Sequence, residues 1–268
     1  MFFDTHAHFD SFDKEGTVEA VLSRAAAAGV TRMCAVGSSE PSNELVVRLA
    51  NEHPAVLKAA VGYDRDQLDH PRSSERLAAL AGESCVVAVG EIGLDYYYSA
   101  ETAAAQRELF GQMLEVAASR RLPVIVHSRY ADEDTLRMLR DFSMVWKQSF
   151  HGVDNPPPPG VLHCFTGDAS FAEALLELGF LISFAGIVTF NNAAPLREVA
   201  RHIPEDRLLI ETDCPYLTPK PFRGKVNEPA YVVHVAEVLA ETRGTTVAAV
   251  AEATVANAQR LFQMEGSI

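Results

Sequence analysis
Six residues whose side chains bind metals well, His6, His8, Glu91, His127, His163 and Asp213, each stand at or just past the end of a short apolar run, and together they span most of the chain. Side chains this far apart in sequence become neighbours when each occupies the C-terminal end of its own strand and the strands converge on one rim. Eight such runs are legible, at residues 2–6, 32–37, 56–61, 86–91, 124–127, 161–164, 181–184 and 208–211. Between them lie stretches with apolar residues at helical spacing, such as 17–28, 102–120, 171–178 and 229–241, closed at or near Gly29, Gly179 and Gly244 in three cases. Alternation of strand and helix predicts a parallel sheet. An open doubly wound sheet fits that alternation too, but ligands from the first, fourth, fifth, sixth and eighth strands meet only if the sheet closes. The expected fold is therefore an α/β barrel of the (β/α)8 TIM type, and 268 residues with 48% hydrophobic content suit one such domain over 1–268.

Four imidazoles and two carboxylates are too many for one tetrahedral ion and suit two divalent ions with positions left for water and substrate. In His6-Ala7-His8 the side chains are two residues apart, so on a strand they point the same way; alone, that spacing is as well explained by a surface strand. Glu91 lies in Gly90-Glu91-Ile92-Gly93-Leu94-Asp95, where the glycines allow close backbone approach and the carboxylate can bridge two ions or form a salt bridge in a loop. His127 and His163 each end an apolar run, a place that also suits a hydrogen-bonded core histidine. Asp213 precedes Cys214-Pro215-Tyr216, a stiff turn that would hold a carboxylate on the rim, able to bind metal and to take a proton from water. Asp132-Glu133-Asp134 reads as a helix start, and Tyr96-Tyr97-Tyr98 as either loop packing or a stack for a substrate ring.

A formal charge of -13, from 36 acids against 23 bases, repels a polyanion from most of the surface. Lys220, Arg223 and Lys225, in an acid-free stretch after Asp213, are either a solvated loop or a local hold on phosphate. The N-terminal residues carry no basic region before their apolar ones, and no apolar stretch approaches the roughly 18 residues that span a bilayer, so a soluble, unprocessed, cytoplasmic protein is expected. Cys34, Cys85, Cys164 and Cys214 stand singly and read as reduced thiols. Gly-x-Ser-x-Gly, Gly-x-x-x-x-Gly-Lys and Gly-x-Gly-x-x-Gly are absent, which removes support for a serine hydrolase or a nucleotide-dependent enzyme. Residues 142–160, with Trp146 and prolines from Pro156 to Pro159, read as an insertion or long loop opposite the ligands, with His151 on the surface. A last helical stretch, 247–262, is expected across the outside of the barrel.

Five motifs in this order closely resemble the TatD family of metal-dependent deoxyribonucleases, a branch of the amidohydrolase superfamily. They are Asp4-Thr5-His6-Ala7-His8, Gly90-Glu91-Ile92-Gly93-Leu94-Asp95-Tyr96, His127-Ser128-Arg129, His163-Cys164-Phe165-Thr166-Gly167 and Glu211-Thr212-Asp213-Cys214-Pro215-Tyr216-Leu217-Thr218-Pro219. The resemblance implies a distorted (β/α)8 barrel that hydrolyses phosphodiester bonds, typically as a 3′ to 5′ exonuclease on DNA. It implies His6, His8 and Asp213 on one ion, His127 and His163 on the other, and Glu91 between them. Residues 142–160 and Tyr130-Ala131 depart from the family pattern. The expected mechanism has water activated by two divalent ions, Asp213 taking its proton, and Lys220, Arg223 or Arg129 offsetting phosphate charge. Family names invoke magnesium, while four imidazoles favour zinc, manganese, cobalt or iron. DNA or another phosphoester would bind locally at the metals, with no membrane and no obligate protein partner. One competing reading is hydrolysis of a carboxylic ester such as a misacylated aminoacyl-tRNA. Another is a carbon–nitrogen hydrolase, which is often built on a carboxylated lysine, whereas Glu91 stands in the fourth strand here. A third is a metal-storing or assembly protein, against which the 220–225 cations speak.

Overall fold
The computed structural model describes residues 1–264, so the last four positions of the expected domain, 265–268, lie outside the described residues. Eight strands neighbour one another in chain order, and each sequential pair is parallel. They are β1 (Phe2–Ala7), β2 (Val30–Val36), β3 (Leu57–Val61), β4 (Val86–Asp95), β5 (Val124–Arg129), β6 (Gly160–Leu162), β7 (Leu181–Phe184) and β8 (Leu208–Ile210). The connections hold α1 (Asp10–Lys14), α2 (Val18–Ala27), α3 (Glu40–Glu52), α4 (Ser74–Leu80), α5 (Tyr96–Ser99) and α6 (Ala103–Arg120). Then come α7 (Asp132–Ser149), α8 (Ala169–Leu178), α9 (Ala194–His202), α10 (Val232–Arg243) and α11 (Val247–Leu261). This is the expected barrel.

Period-two alternation sorts the strand residues. Phe3, Cys34, Ala60, Ile125, Val161, Leu181 and Leu209 face the interior, while their neighbours Met33, Ala59, Val126, Ile182 and Ile210 pack against the helices. Ala258, Leu261 and Phe262 join the interior set, with the Phe262 ring 5.6 Å from that of Phe3. The last helix therefore closes the N-terminal end of the barrel, where sequence analysis placed it across the outside. The strand starts leave an apolar opening there, and α11 offers apolar side chains to fill it.

The expected loop 142–160 is also corrected. Helix α7 continues to Ser149 because Phe142 and Trp146, one helical turn apart, are both buried, their rings 5.8 Å apart. Only the connection 150–159 is irregular, and Trp146 Nε1 donates to the Pro157 carbonyl at 2.8 Å. It leads to the start of β6, and His151 is exposed.

The sheet closes between β1 and β8 near the rim. One bridge joins Ala7 to Cys214, His8 N donates to Cys214 O at 2.9 Å, and Asp213 N to His6 O at 3.0 Å. Below them the buried Asp4 carboxylate stands in for a strand backbone, accepting Thr212 N at 2.9 Å and Thr212 Oγ1 at 2.5 Å.

Candidate metal centre
Two strands break register where a ligand is needed. Simple alternation along β1 turns Phe3 and Thr5 inward and His6 away, but the register with β2 shifts between Asp4 and Ala7, and His6 and His8 both reach the site. The β4 register with β5 shifts between Val89 and Ile92, on either side of Glu91. Glu91 consequently lies inside a ten-residue strand and not at its end, a correction to the expected run 86–91. β4 can run on because Gly93, at φ +137°, lies so close to β5 that any Cβ would overlap the His127 carbonyl. Cys164 and Asp213 have φ of 44° and 56°, a left-handed conformation that costs a residue with a side chain energy.

The result is a buried cluster centred on Glu91. His6 Nε2 and His8 Nε2 lie 3.1 Å apart, 3.5 Å and 3.4 Å from Glu91 Oε2, and 3.9 Å and 3.7 Å from Asp213 Oδ1. On the other oxygen, Glu91 Oε1 lies 3.4 Å from His163 Nε2 and 3.5 Å from His127 Nδ1. His6 with His8 and Asp213, and His6 with Glu91 and His163, are each compact enough to hold one ion. His127 joins through Glu91. All six predicted ligands thus meet in one place.

A second layer fixes which ring nitrogen faces inward. His8 Nδ1 lies 3.0 Å from the Val36 carbonyl, and His163 Nδ1 3.2 Å from Glu211 Oε1, so each can donate there and leave Nε2 free. His127 Nε2 is held 3.2 Å from Asp95 Oδ2. His163 Nε2, the nitrogen that faces Glu91, is buried without a hydrogen-bond partner, the state expected of a nitrogen that awaits a cation. The donor set fits divalent ions.

Protons balance the cluster electrically. Burial pulls the imidazoles toward neutrality and takes His6 down to about 4, helped by the charge of His163. At His8 burial is outweighed by the Glu91 hydrogen bond and the charges of Glu91 and Asp213, which lift it to about 9. His163 is raised well above the usual histidine range, burial losing to Glu91 and Glu211, and Glu91 is held well below the carboxylate range by His163 and the other imidazoles despite its burial. Burial pushes Asp213 up to about 7, against the cations His163 and His8 and with the anions Glu91 and Glu211.

The cations named in the sequence stand further out. Arg129 stacks over Tyr97 at 3.9 Å and Tyr98 at 4.9 Å. Arg223 lies 4.1 Å over the Phe190 ring and donates to the Thr218 carbonyl, Lys225 stands 5.2 Å over Phe222, and Lys220 bonds Asn191. Lys220 also lines a cavity of about 590 Å³ with Thr189, Asn191, Arg197 and Thr242, none of them a ligand. The guanidinium nearest the cluster is one that sequence reading missed: Arg65 lies 3.9 Å from Glu91 Oε1 and 3.7 Å from Asp95 Oδ2. The strand before it carries no ligand, so only the acids Asp64 and Asp66 beside it could have drawn attention. Glu211 and Asp95 were visible within motifs but had no stated role.

Comparison with known proteins agrees with this geometry. Residues 3–263 match the sequence profile of the family described as TatD related DNase. The chain is 39% identical over 267 residues to the metal-dependent hydrolase YabD of Bacillus subtilis (strain 168), covering 98% of this chain and 100% of that one. It is 43% identical over 267 residues to the metal-dependent hydrolase YcfH of Escherichia coli (strain K12), covering 98% and 96%. The crystal structure of YJJV, a TatD homolog from Escherichia coli K12, superposes with a TM-score of 0.88 at 32% identity and 98% coverage of both chains.

Proposed function
We propose that this chain, which belongs to the TatD related DNase family, is a metal-dependent hydrolase whose substrate is a phosphodiester, and that it acts as a 3′ to 5′ deoxyribonuclease. One observation carries the reading. Imidazole nitrogens and carboxylate oxygens converge on Glu91, whose two oxygens address two separate groups of donors. We assign His6, His8 and Asp213 to one divalent ion, His127 and His163 to a second, and Glu91 to both. The imidazole-rich set favours zinc, manganese, cobalt or iron over magnesium. Ions bound there would supply a water that ionises at a pH of about 7 and positive charge for a phosphoryl oxygen.

The protein's own residues do the rest. Asp213 takes the proton of the attacking water, its Oδ1 lying 3.7 Å from His8 Nε2 among the donors that would hold the ions. Glu211 and Val36 hold His163 and His8 in the tautomers that face inward. Arg65 offsets charge that grows on the phosphoryl oxygens, and Arg129, Lys220, Arg223 and Lys225 meet phosphates further along the strand. β4 carries no lysine to be carboxylated, and Glu91 stands in the site, which favours phosphoester over cyclic amide chemistry. The test is an assay of the metal-reconstituted enzyme on an oligonucleotide, an aminoacyl ester and a cyclic amide. Turnover of the oligonucleotide with release of mononucleotides from the 3′ end is expected. Turnover confined to the ester or the amide would overturn the proposal.

A further inference from the structure
The chain has seven tyrosines, and four of them, Tyr97, Tyr98, Tyr130 and Tyr216, are 54%, 66%, 75% and 62% exposed. All four lie just past β4, β5 or β8, on the rim that carries the ligands. The sole tryptophan, by contrast, is buried. Three of the tyrosines form one patch. Tyr97 meets Tyr98 edge to face at 4.8 Å and Tyr130 at 5.4 Å, and the Arg129 guanidinium lies over Tyr97. Among the described residues Arg129 forms no ion pair. Exposed rings around an unpaired cation do not contribute to the core, and such patches mark contact surfaces.

One carboxylate ties the patch to the metal centre. Asp95 Oδ2 lies 3.2 Å from His127 Nε2, while Oδ1 of the same side chain accepts the backbone N–H of Tyr97 at 3.0 Å and of Tyr98 at 3.3 Å. Arg129 is the strand partner of Asp95. The rings are therefore held at a fixed, short remove from a proposed ligand.

We propose that Tyr97, Tyr98, Tyr130 and Arg129 form a stacking platform for the unpaired bases of a single-stranded nucleic acid whose scissile phosphate lies at the histidine cluster. The inference rests on the phosphodiesterase reading and narrows its substrate class. A protein of charge -13 cannot hold a polyanion through a broad cationic face, but stacking on rings draws on the bases and is indifferent to sequence. Bases within a duplex already stack on each other, so their faces are open only in a single strand. Arg129 adds a cation that can lie on a base or meet a phosphate.

The test measures calorimetric binding of the metal-loaded enzyme to two phosphorothioate strands of equal length, an oligodeoxythymidylate and its abasic counterpart. The parent should bind the base-bearing strand about fivefold or more tightly than the abasic one. The double variant Tyr97→Ala/Tyr130→Ala should lose that preference, and Tyr97→Phe/Tyr130→Phe, which keeps both rings, should retain it. Unchanged metal content would show that the variants keep their fold. Equal affinity of the parent for both strands overturns the platform, as does loss of preference in the Phe pair. A switch from dimer to monomer in the Ala pair would make the patch an interface between copies and overturn it too. A parent that prefers bases yet hydrolyses no phosphodiester would sink the nuclease reading and leave the platform standing, while base-independent binding with hydrolysis intact would do the reverse.

Discussion

The N-terminal end of the barrel and its C-terminal rim are made from the same strands by opposite means. At the N-terminal end Phe3, Leu181 and Leu209 meet Leu261, the last residue of α11, and Phe262 just after it in an apolar plug. At the rim β1 and β4 slip register, Asp213 and Cys164 take left-handed backbone, and ionisable groups are buried together. The plug stabilises through area removed from water. The rim does the contrary: it holds an arrangement that is unfavourable by itself and that bound cations would favour. Stability and chemistry are thus separated along the barrel axis, and substitutions at the two ends should fail in different ways.

The largest expected effect tests that separation directly. Glu91→Ala, His163→Ala and Asp213→Ala should each abolish hydrolysis while leaving the circular dichroism spectrum of the parent, with metal content lowest in the Glu91 variant. Near-normal turnover in any of them would remove the proposed mechanism. At the opposite end Phe262→Ala should cost about 3–5 kcal/mol of stability by urea titration, the usual cost of emptying a buried aromatic site. Turnover per folded molecule should stay close to that of the parent. A metal-loaded Phe262 variant that is stable but inactive would break the comparison.

Glu211→Gln sharpens it. Gln keeps the shape of the second layer but not the charge that orients His163, and a loss of 10- to 100-fold in metal affinity or activity is expected. Unaltered metal affinity would show that Glu211 serves only the fold.

The smallest effect is one of pH on the metal-stripped protein. Asp4, Asp213 and His8 are raised to about 8, 7 and 9. A raised group contributes stability that is full below its unfolded value and is lost as pH rises through the folded one. The urea midpoint in EDTA should therefore fall from pH 6 to pH 9. His6, lowered to about 4, acts the other way only in acid. Metal affinity should rise over the same range, as ligands shed protons. A midpoint that climbs with pH would contradict the buried charges assigned to the rim.

The candidate ligands were legible because each closes an apolar run, a pattern that survives without knowledge of neighbours. Period and alternation likewise gave the barrel and, to within about three residues, the ends of α2, α6, α8, α10 and α11. What escaped depends on the neighbouring strand. The register slips at His6 and Glu91 exist only relative to β2 and β5, and without the second of them β4 was ended too early, at Glu91. Prolines at 156–159 drew residues 142–149 into a supposed loop, though Phe142 and Trp146 already held helical spacing. Cations suffered most. Lys220, Arg223 and Lys225 look free in sequence, yet Asn191, Phe190 and Phe222 engage them, while Arg65 reaches Glu91 from a strand with no ligand.

The seam closed by Asp4 has a consequence for the order of events in synthesis. His6 and His8 leave the ribosome before Asp213, which emerges long after, just past the last strand, and the seam between β1 and residues 212–214 brings them together. Contacts across so long a stretch of chain form late in folding. A nascent chain can present the His6-Ala7-His8 pair but not Asp213, so the proposed cage is complete only once the eighth strand docks. On the proposed assignment, bound ions would tie the first strand to the last, a clasp that rewards only a barrel folded to its end.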